Sequence, residues 1–258
     1  MSRSGLAISA PGGAPPILGL AAHPLRWRLL WELARSDRRV GELCALLGEP
    51  QSLVSYHLAR LRDAGAVTCR RSAADGREVY YAADLVRLGR LLADGGRALH
   101  PGLRLAPHAG PAAAPRGASV LFLCTGNSAR SQIAEALTRA RAPELTVTSA
   151  GSHPKPLHPN TLRVLRARGL APVSVTPRGL DELAAMRFDL VVSLCDRVRE
   201  ICPPFRGARL LHWSIADPAR VNGDASACYR AFERTTEEIA RRVEFLLALV
   251  LAGNARVA

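Results

Sequence analysis

Lysine is almost missing from this chain. Of 258 residues, 35 are lysine or arginine, and Lys155 is the sole lysine among them. Against 22 acidic residues this leaves a formal net charge of +13 and a pI near 10.8. The skew toward arginine reads as coding bias, so charge alone does not choose between nucleic acid and a small oxyanion as the anionic partner. Long apolar runs are missing as well. "FLLALVLA" near the end is far too short to span a bilayer, which excludes a transmembrane helix. No secretion signal opens the chain: Arg3 is followed by an apolar patch broken by Pro11, Gly12, Gly13, Pro15 and Pro16. Six cysteines do not make a secreted disulfide scaffold of this length. The expectation is a cytoplasmic chain with no membrane partner, its thiols reduced, catalytic or metal-binding.

What is there falls into two parts. Residues 1–18 are rich in Gly, Pro and Ala and are expected to be disordered. From His23-Pro24 the pattern becomes helical, with Leu25, Leu29, Leu30 and Leu33 on one face. Two further helices fit "RVGELCALLG" and "QSLVSYHLARLRD". "AVTCRRSAADGREVYYA" then reads as two strands joined around Asp75-Gly76, and "DLVRLGRLLADG" as a closing helix. From 98 to 117 the prolines and alanines carry no periodicity, as in an interdomain tether. The expected division is therefore 19–97, a linker at 98–117, and a second domain at 118–253.

The first of these domains, through "ELCALLG", "SLVSYHLARLRDAGAV" and the basic hairpin, resembles the ArsR family of bacterial transcriptional regulators, which are winged helix-turn-helix proteins. The resemblance implies a double-stranded DNA operator as partner and a homodimer formed through this domain. It places Gln51, Ser52, Ser55, Tyr56 and His57 toward the DNA, with Arg60, Arg70, Arg71 and Arg77 near phosphates. Arsenite-responsive members carry clustered cysteines where this chain has only Cys44, with Leu46 in the place of a second thiolate. A thiophilic site needs several sulfurs, so Cys44 reads first as a core residue and no metal is expected.

The second part alternates strands and helices, which predicts a three-layer α/β domain with a parallel sheet and ligands at the carboxyl ends of its strands. Its chemistry centres on "VLFLCTGNSARSQ", an apolar run ending in Cys124, then Arg130 five residues further on, then a helix-forming segment. Between a strand and a helix, Thr125, Gly126, Asn127, Ser128 and Ala129 form a loop whose amides can wrap a tetrahedral oxyanion. The helix N-terminus and the planar Arg130 fork add positive charge, which also favours Cys124 as a thiolate nucleophile. Two more cysteines, Cys195 and Cys202, straddle the short segment "DRVRE".

With "SAGSHP", "LCDRVREICP" and "HWSIADPA" added, residues 119 to about 250 resemble the low-molecular-weight tyrosine phosphatase fold, and most of all its thioredoxin-coupled arsenate reductases. The resemblance implies that Ser131 hydrogen-bonds the sulfur and that Asp217 is the general acid. It further implies that Cys124, Cys195 and Cys202 form a thiol relay reducing arsenate to arsenite, with no bound cofactor and thioredoxin as external reductant. Ala219 follows Asp217-Pro218 where phosphatases of this fold usually carry an aromatic residue. Two other readings stand beside this one. One is a phosphatase fused to a DNA-binding domain. The other is a transcription factor with an oxyanion-sensing domain.

Overall fold

The computed structural model describes residues 15–100, 103, 117–172, 174, 176–183, 185–202 and 205–254, with side chains as far as Val250. Residues 1–14 and most of the 98–117 linker lie outside the described residues. Regular structure starts earlier than composition suggests. Helix α1 (Pro16–Ala21) begins inside the 1–18 stretch. Pro16 occupies the first turn, where a missing N–H costs nothing, and Ile17 is buried.

By its contacts the chain forms two compact units. The first runs to Ala34, continues over Val40–Cys69 and resumes at Tyr81. It contains α1, α2 (Pro24–Leu33), α3 (Val40–Leu47), α4 (Gln51–Asp63) and α5 (Leu85–Leu99). His23 caps α2, its Nδ1 accepting from the Leu25 amide at 3.2 Å, and Asp84 caps α5 through the Arg87 amide at 2.9 Å. The expected stripe Leu25, Leu29, Leu30 and Leu33 is buried, packed with Leu43, Val54 and Leu58. Gly48 and Gly65 stop α3 and α4 at φ of 68° and 69°, a left-handed conformation that favours glycine.

The second unit holds the α/β domain and, with it, Arg35–Arg39 and Arg70–Tyr80 from the 19–97 stretch. Its sheet consists of β4 (Ser119–Cys124), β5 (Thr146–Gly151), β6 (Leu190–Ser193) and β7 (Arg209–His212), all parallel, in the order β5-β4-β6-β7. Helices α6 (Arg130–Arg141), α7 (Pro159–Arg166) and the long α9 (Ala225–Asn254) pack on one another, while α8 (Asp196–Ile201) contacts β4 and β6. The central strand β4 is buried on both faces, so its run of Val120, Leu121, Phe122 and Leu123 shows no alternation. The chain leaves β4 toward β5 on one side and returns to β6 on the other. The carboxyl end of β4 is thus the switch point of the sheet, where a crevice opens. Cys124 stands there.

The hairpin strands are β2 (Val67–Arg71) and β3 (Val79–Ala83), which with β1 (Arg38–Arg39) give a small sheet of order β1-β3-β2. The connection is wider than a two-residue turn at Asp75-Gly76. Ser72 N donates to Glu78 O at 2.8 Å and the Ser72 hydroxyl accepts from the amides of Ala74 and Asp75, so residues 72–78 form a closed loop. Residues 36 and 37 lie along the end of β7. Asp37 N donates to His212 O at 2.8 Å, and Asp37 Oδ2 accepts from Ser214 N at 2.7 Å. Among the described residues, no helix is long and apolar enough to cross a membrane.

Candidate active site

The loop after β4 is shaped by what its carbonyls do. Cys124 O, Thr125 O, Gly126 O and Ser128 O accept from the amides of Ser152, His153, Lys155 and His158, at 3.3, 2.8, 2.9 and 3.1 Å. With the carbonyls turned outward to the irregular segment 152–158, the loop amides are left for the cavity. Among the described residues, no bond donated by the amides of 125–129 is found. The loop also passes so close to β5 that only glycine fits at 151. A Cβ there would lie 2.7 Å from Asn127 N and from Thr125 O.

Asn127 takes the one positive φ of a non-glycine residue found in the described chain, 46°. Its side chain offsets that strain with four bonds. Nδ2 donates to Ser131 Oγ (3.0 Å) and Ser149 Oγ (2.8 Å), and Oδ1 accepts from Gln132 Nε2 (3.1 Å) and Arg178 N (2.9 Å). Ser149 passes the chain on to Glu135 Oε2 at 2.6 Å. Burial pushes the Glu135 carboxyl above its ordinary range, against the opposing Ser149 bond and the Arg139 charge.

A cavity of about 470 Å³ lies over this loop. Cys124, Thr125, Gly126, Ser128, Ala129 and Arg130 line it from the loop, with Cys195, Asp217, Lys155 and His158 around them. Cys124 Sγ lies 3.0 Å from Ser131 Oγ. Arg130 is almost fully buried and splayed between Ile215 O (2.9 Å) and Asp217 Oδ2 (3.0 Å). Asp217 also caps the 3₁₀ turn Pro218–Arg220 by accepting from the Ala219 amide at 3.1 Å. Every residue expected for the oxyanion loop and its acid is therefore gathered at the carboxyl end of β4. Lys155, His158 and Arg197 are cavity residues that the motif did not name. Burial lowers the His158 pKa, against the opposing charge of Asp217.

The two further cysteines sit on opposite ends of α8. Cys195 is buried in the same cavity as Cys124, with Thr125 Oγ1 3.2 Å from its sulfur. Burial raises its pKa, partly offset by Arg130. Cys202 lines a different cavity, of about 270 Å³, with Arg38, Arg199 and Leu211. Burial pushes its thiol up to about 11. None of these three cysteines is held in a disulfide.

Residues 119–255 match the family described as low molecular weight phosphotyrosine protein phosphatase. The chain belongs to that family. Residues 23–68 match the bacterial regulatory protein, arsR family, and form an ArsR-family helix-turn-helix domain. The chain is similar to the arsenate reductase of Halalkalibacterium halodurans, 34% identical over 128 residues that cover 48% of this chain and 91% of that protein. It is equally similar to the arsenate reductase of Bacillus subtilis (strain 168), 34% identical over 127 residues, with coverage of 48% and 91%. A solved arsenate reductase from Archaeoglobus fulgidus DSM 4304 is 35% identical, covers 50% of this chain and 98% of its own, and superposes with a TM-score of 0.43. In this chain the loop from Cys124 to Arg130 and the Asp217 carboxylate are accompanied by Cys195 and Cys202 at the two ends of α8.

The residues expected to face DNA divide. Gln51, Ser52, Ser55, Tyr56 and Arg60 are exposed along α4, and Arg71 and Arg77 are exposed on the hairpin. His57 is not available: it is 4% exposed, its ring 4.3 Å from that of His23 and 5.1 Å from that of Tyr56, and burial lowers its pKa. Arg70 is not free for a phosphate either. Its NH2 donates to Asp196 Oδ2 at 2.8 Å and to Ser214 Oγ, and its Nε donates to Ser214 O at 2.8 Å. Cys44 is half-buried against the leucine cluster of the first unit, and Cys228 accepts from Asn160 Nδ2 at 3.4 Å beside the core of the second.

Proposed function

We propose that this chain reduces arsenate to arsenite through Cys124, Cys195 and Cys202, and that its ArsR-family domain binds a double-stranded DNA operator as a homodimer. The observation that carries the enzymatic reading is the position of Cys195. Its sulfur enters the oxyanion cavity beside Thr125, while Cys202 stands at the other end of α8 and lines a separate cavity. A phosphatase of this fold needs one cysteine; a reductase must also supply two electrons.

The chemistry runs in three steps. Cys124 thiolate attacks arsenate held by the loop amides and Arg130, Asp217 protonates the departing oxygen, and water leaves with a sulfur–arsenic bond in its place. Cys195 attacks the Cys124 sulfur, the electron pair of the broken bond passes to arsenic, and arsenite departs. Cys202 then attacks Cys195, Cys124 leaves as thiolate, and thioredoxin returns two electrons to the Cys195–Cys202 disulfide. No cofactor is bound in this scheme.

A phosphatase reading draws on the family match over residues 119–255 and on the same Cys124, Arg130 and Asp217, with Cys195 and Cys202 serving only as a redox guard. Arsenate turnover with thioredoxin, thioredoxin reductase and NADPH, beside hydrolysis of p-nitrophenyl phosphate by the same sample, separates the two. Reduction is expected, and Cys202→Ser is expected to stop after one turnover. Sustained turnover by Cys202→Ser with thioredoxin as sole reductant sinks the relay. An operator-shift assay, with and without arsenite, tests the DNA-binding half.

A further inference from the structure

Helix α8 does two jobs at once: it separates the cysteine pair, and it holds the outer part of the hairpin. Seven helical rises put about 10 Å between its flanking residues 195 and 202. A disulfide tolerates no more than about 7 Å between Cα atoms. The Cys195–Cys202 bond therefore cannot form around an intact α8, and closing it unwinds the helix.

The first residue of that helix is Asp196, fully buried and next in the chain to Cys195. One carboxylate oxygen accepts from Arg70 NH2 at 2.8 Å and from the Ala73 amide at 2.6 Å. The other accepts from Ser214 Oγ at 2.7 Å and lies 3.1 Å from His212 Nε2. Ser214 and His212 in turn meet Arg70 and the Tyr80 ring. Two more α8 residues reach the same arm. Arg197 Nε donates to Ala73 O at 3.4 Å, and the Arg199 guanidinium stands 5.7 Å from the Tyr80 ring centroid. The arm so held adds Ala73 to the wall of the oxyanion cavity. Burial would push the Asp196 carboxyl up, but the bonds from His212, Ala73 and Ser214 and the Arg70 charge hold it well below the usual carboxylate range.

We propose that α8 is a redox-operated latch on the hairpin arm 70–80: with Cys195 and Cys202 reduced, Asp196 pins the arm beside the oxyanion cavity, and closing their disulfide releases it. The arm carries Arg70, Arg71 and Arg77, so its release transmits the state of the thiol pair to a segment expected to meet DNA. This rests on the proposed relay only for the natural oxidant, arsenic(V). Any acceptor of two electrons and two protons from the thiol pair closes the same bond.

The test uses the full chain and diamide, which takes up those two electrons and two protons as the S–S bond forms. Peptide mass mapping identifies Cys195–Cys202, and hydrogen exchange follows the peptide over residues 70–80. Oxidation is expected to speed exchange of that peptide about tenfold or more, since the Ala73 amide loses a charged acceptor. The Cys202→Ser chain treated with diamide should keep its slow exchange. Arg70→Ala should exchange faster even when reduced. Unchanged exchange with the disulfide in place overturns the latch, and so does a pair that diamide does not close. Arsenate turnover on the same sample reports on the reductase separately: a chain that loosens its arm on oxidation and reduces no arsenate keeps the latch and loses that activity.

Discussion

Asn127 Nδ2 donates to Ser131 Oγ at 3.0 Å, and the same hydroxyl lies 3.0 Å from Cys124 Sγ. An oxygen that already accepts the amide proton has its own proton free for the sulfur. Ser131 is thus oriented as a donor to Cys124, and Asn127 sets the direction. A hydrogen bond to a charged group contributes about 1.5–3 kcal/mol. Ser131→Ala is therefore expected to lower kcat for arsenate about 10–100-fold with the fold intact. Steady-state kinetics beside circular dichroism check this, and wild-type turnover by a folded Ser131→Ala chain removes the hydroxyl from the mechanism.

The loop's tolerance is set from β5. Gly151 pairs with Cys124 across the sheet, and a methyl group at 151 would intrude on Asn127 N, Thr125 O and the Gly126 carbonyl carbon at 2.7–2.9 Å. All three are backbone atoms, so no side chain can swing away to relieve the clash. Gly151→Ala is expected to displace the loop, cost about 1–3 kcal/mol in stability, and cut kcat/KM about 100-fold through misplaced donors. Thermal unfolding and arsenate kinetics measure the two effects separately. Unaltered kinetics would mean that the loop does not need its present path.

Much of this site was legible before the structure. The apolar run into Cys124, the spacing to Arg130, and Asp217 after a strand are local patterns, and locality is what sequence periodicity reports. The Arg70–Asp196 pair was not legible, because 126 residues separate its members and neither position has a local signature. The family resemblance places Arg70 near phosphates, and the structure instead turns its guanidinium to the buried Asp196 carboxylate. The tie between residues 36–37 and β7 was hidden for the same reason. His57 is a different case, since its burial was written in the spacing. It follows Val54 by three residues and precedes Leu61 by four, so it lies on the stripe that α4 buries. The family resemblance places it toward DNA, while the helical spacing places it in the core.

Glu135 predicts a pH dependence. Its folded-state pKa is raised above 4.5 by burial, so whatever its neutral form contributes is present below 4.5 and is lost as pH rises through the raised value. Glu135→Gln keeps the shape and an acceptor for the Ser149 hydroxyl without the charge. Relative to wild type, its Tm is expected to be about 2–4 °C higher at pH 8 and little changed at pH 4. Calorimetry at the two pH values decides it. An equal shift at both would show that the charge of Glu135 is not the cause.

On α4, neighbours in sequence are expected to behave oppositely. Tyr56 is 59% exposed and His57 is 4% exposed. Tyr56→Ala should weaken operator binding about 10-fold or more at constant stability, the loss typical of one specific contact. Arg60→Ala and Arg71→Ala should each reduce the salt dependence of binding by about one phosphate contact. His57→Ala removes packing against His23, so it should lower Tm by several degrees, about 1–2 kcal/mol, while leaving the salt slope alone. Fluorescence anisotropy over a salt series, run beside thermal melts, tells the two classes apart. If Tyr56→Ala binds as wild type and His57→Ala alone loses affinity without losing stability, the DNA-facing side of α4 is not the exposed one described above.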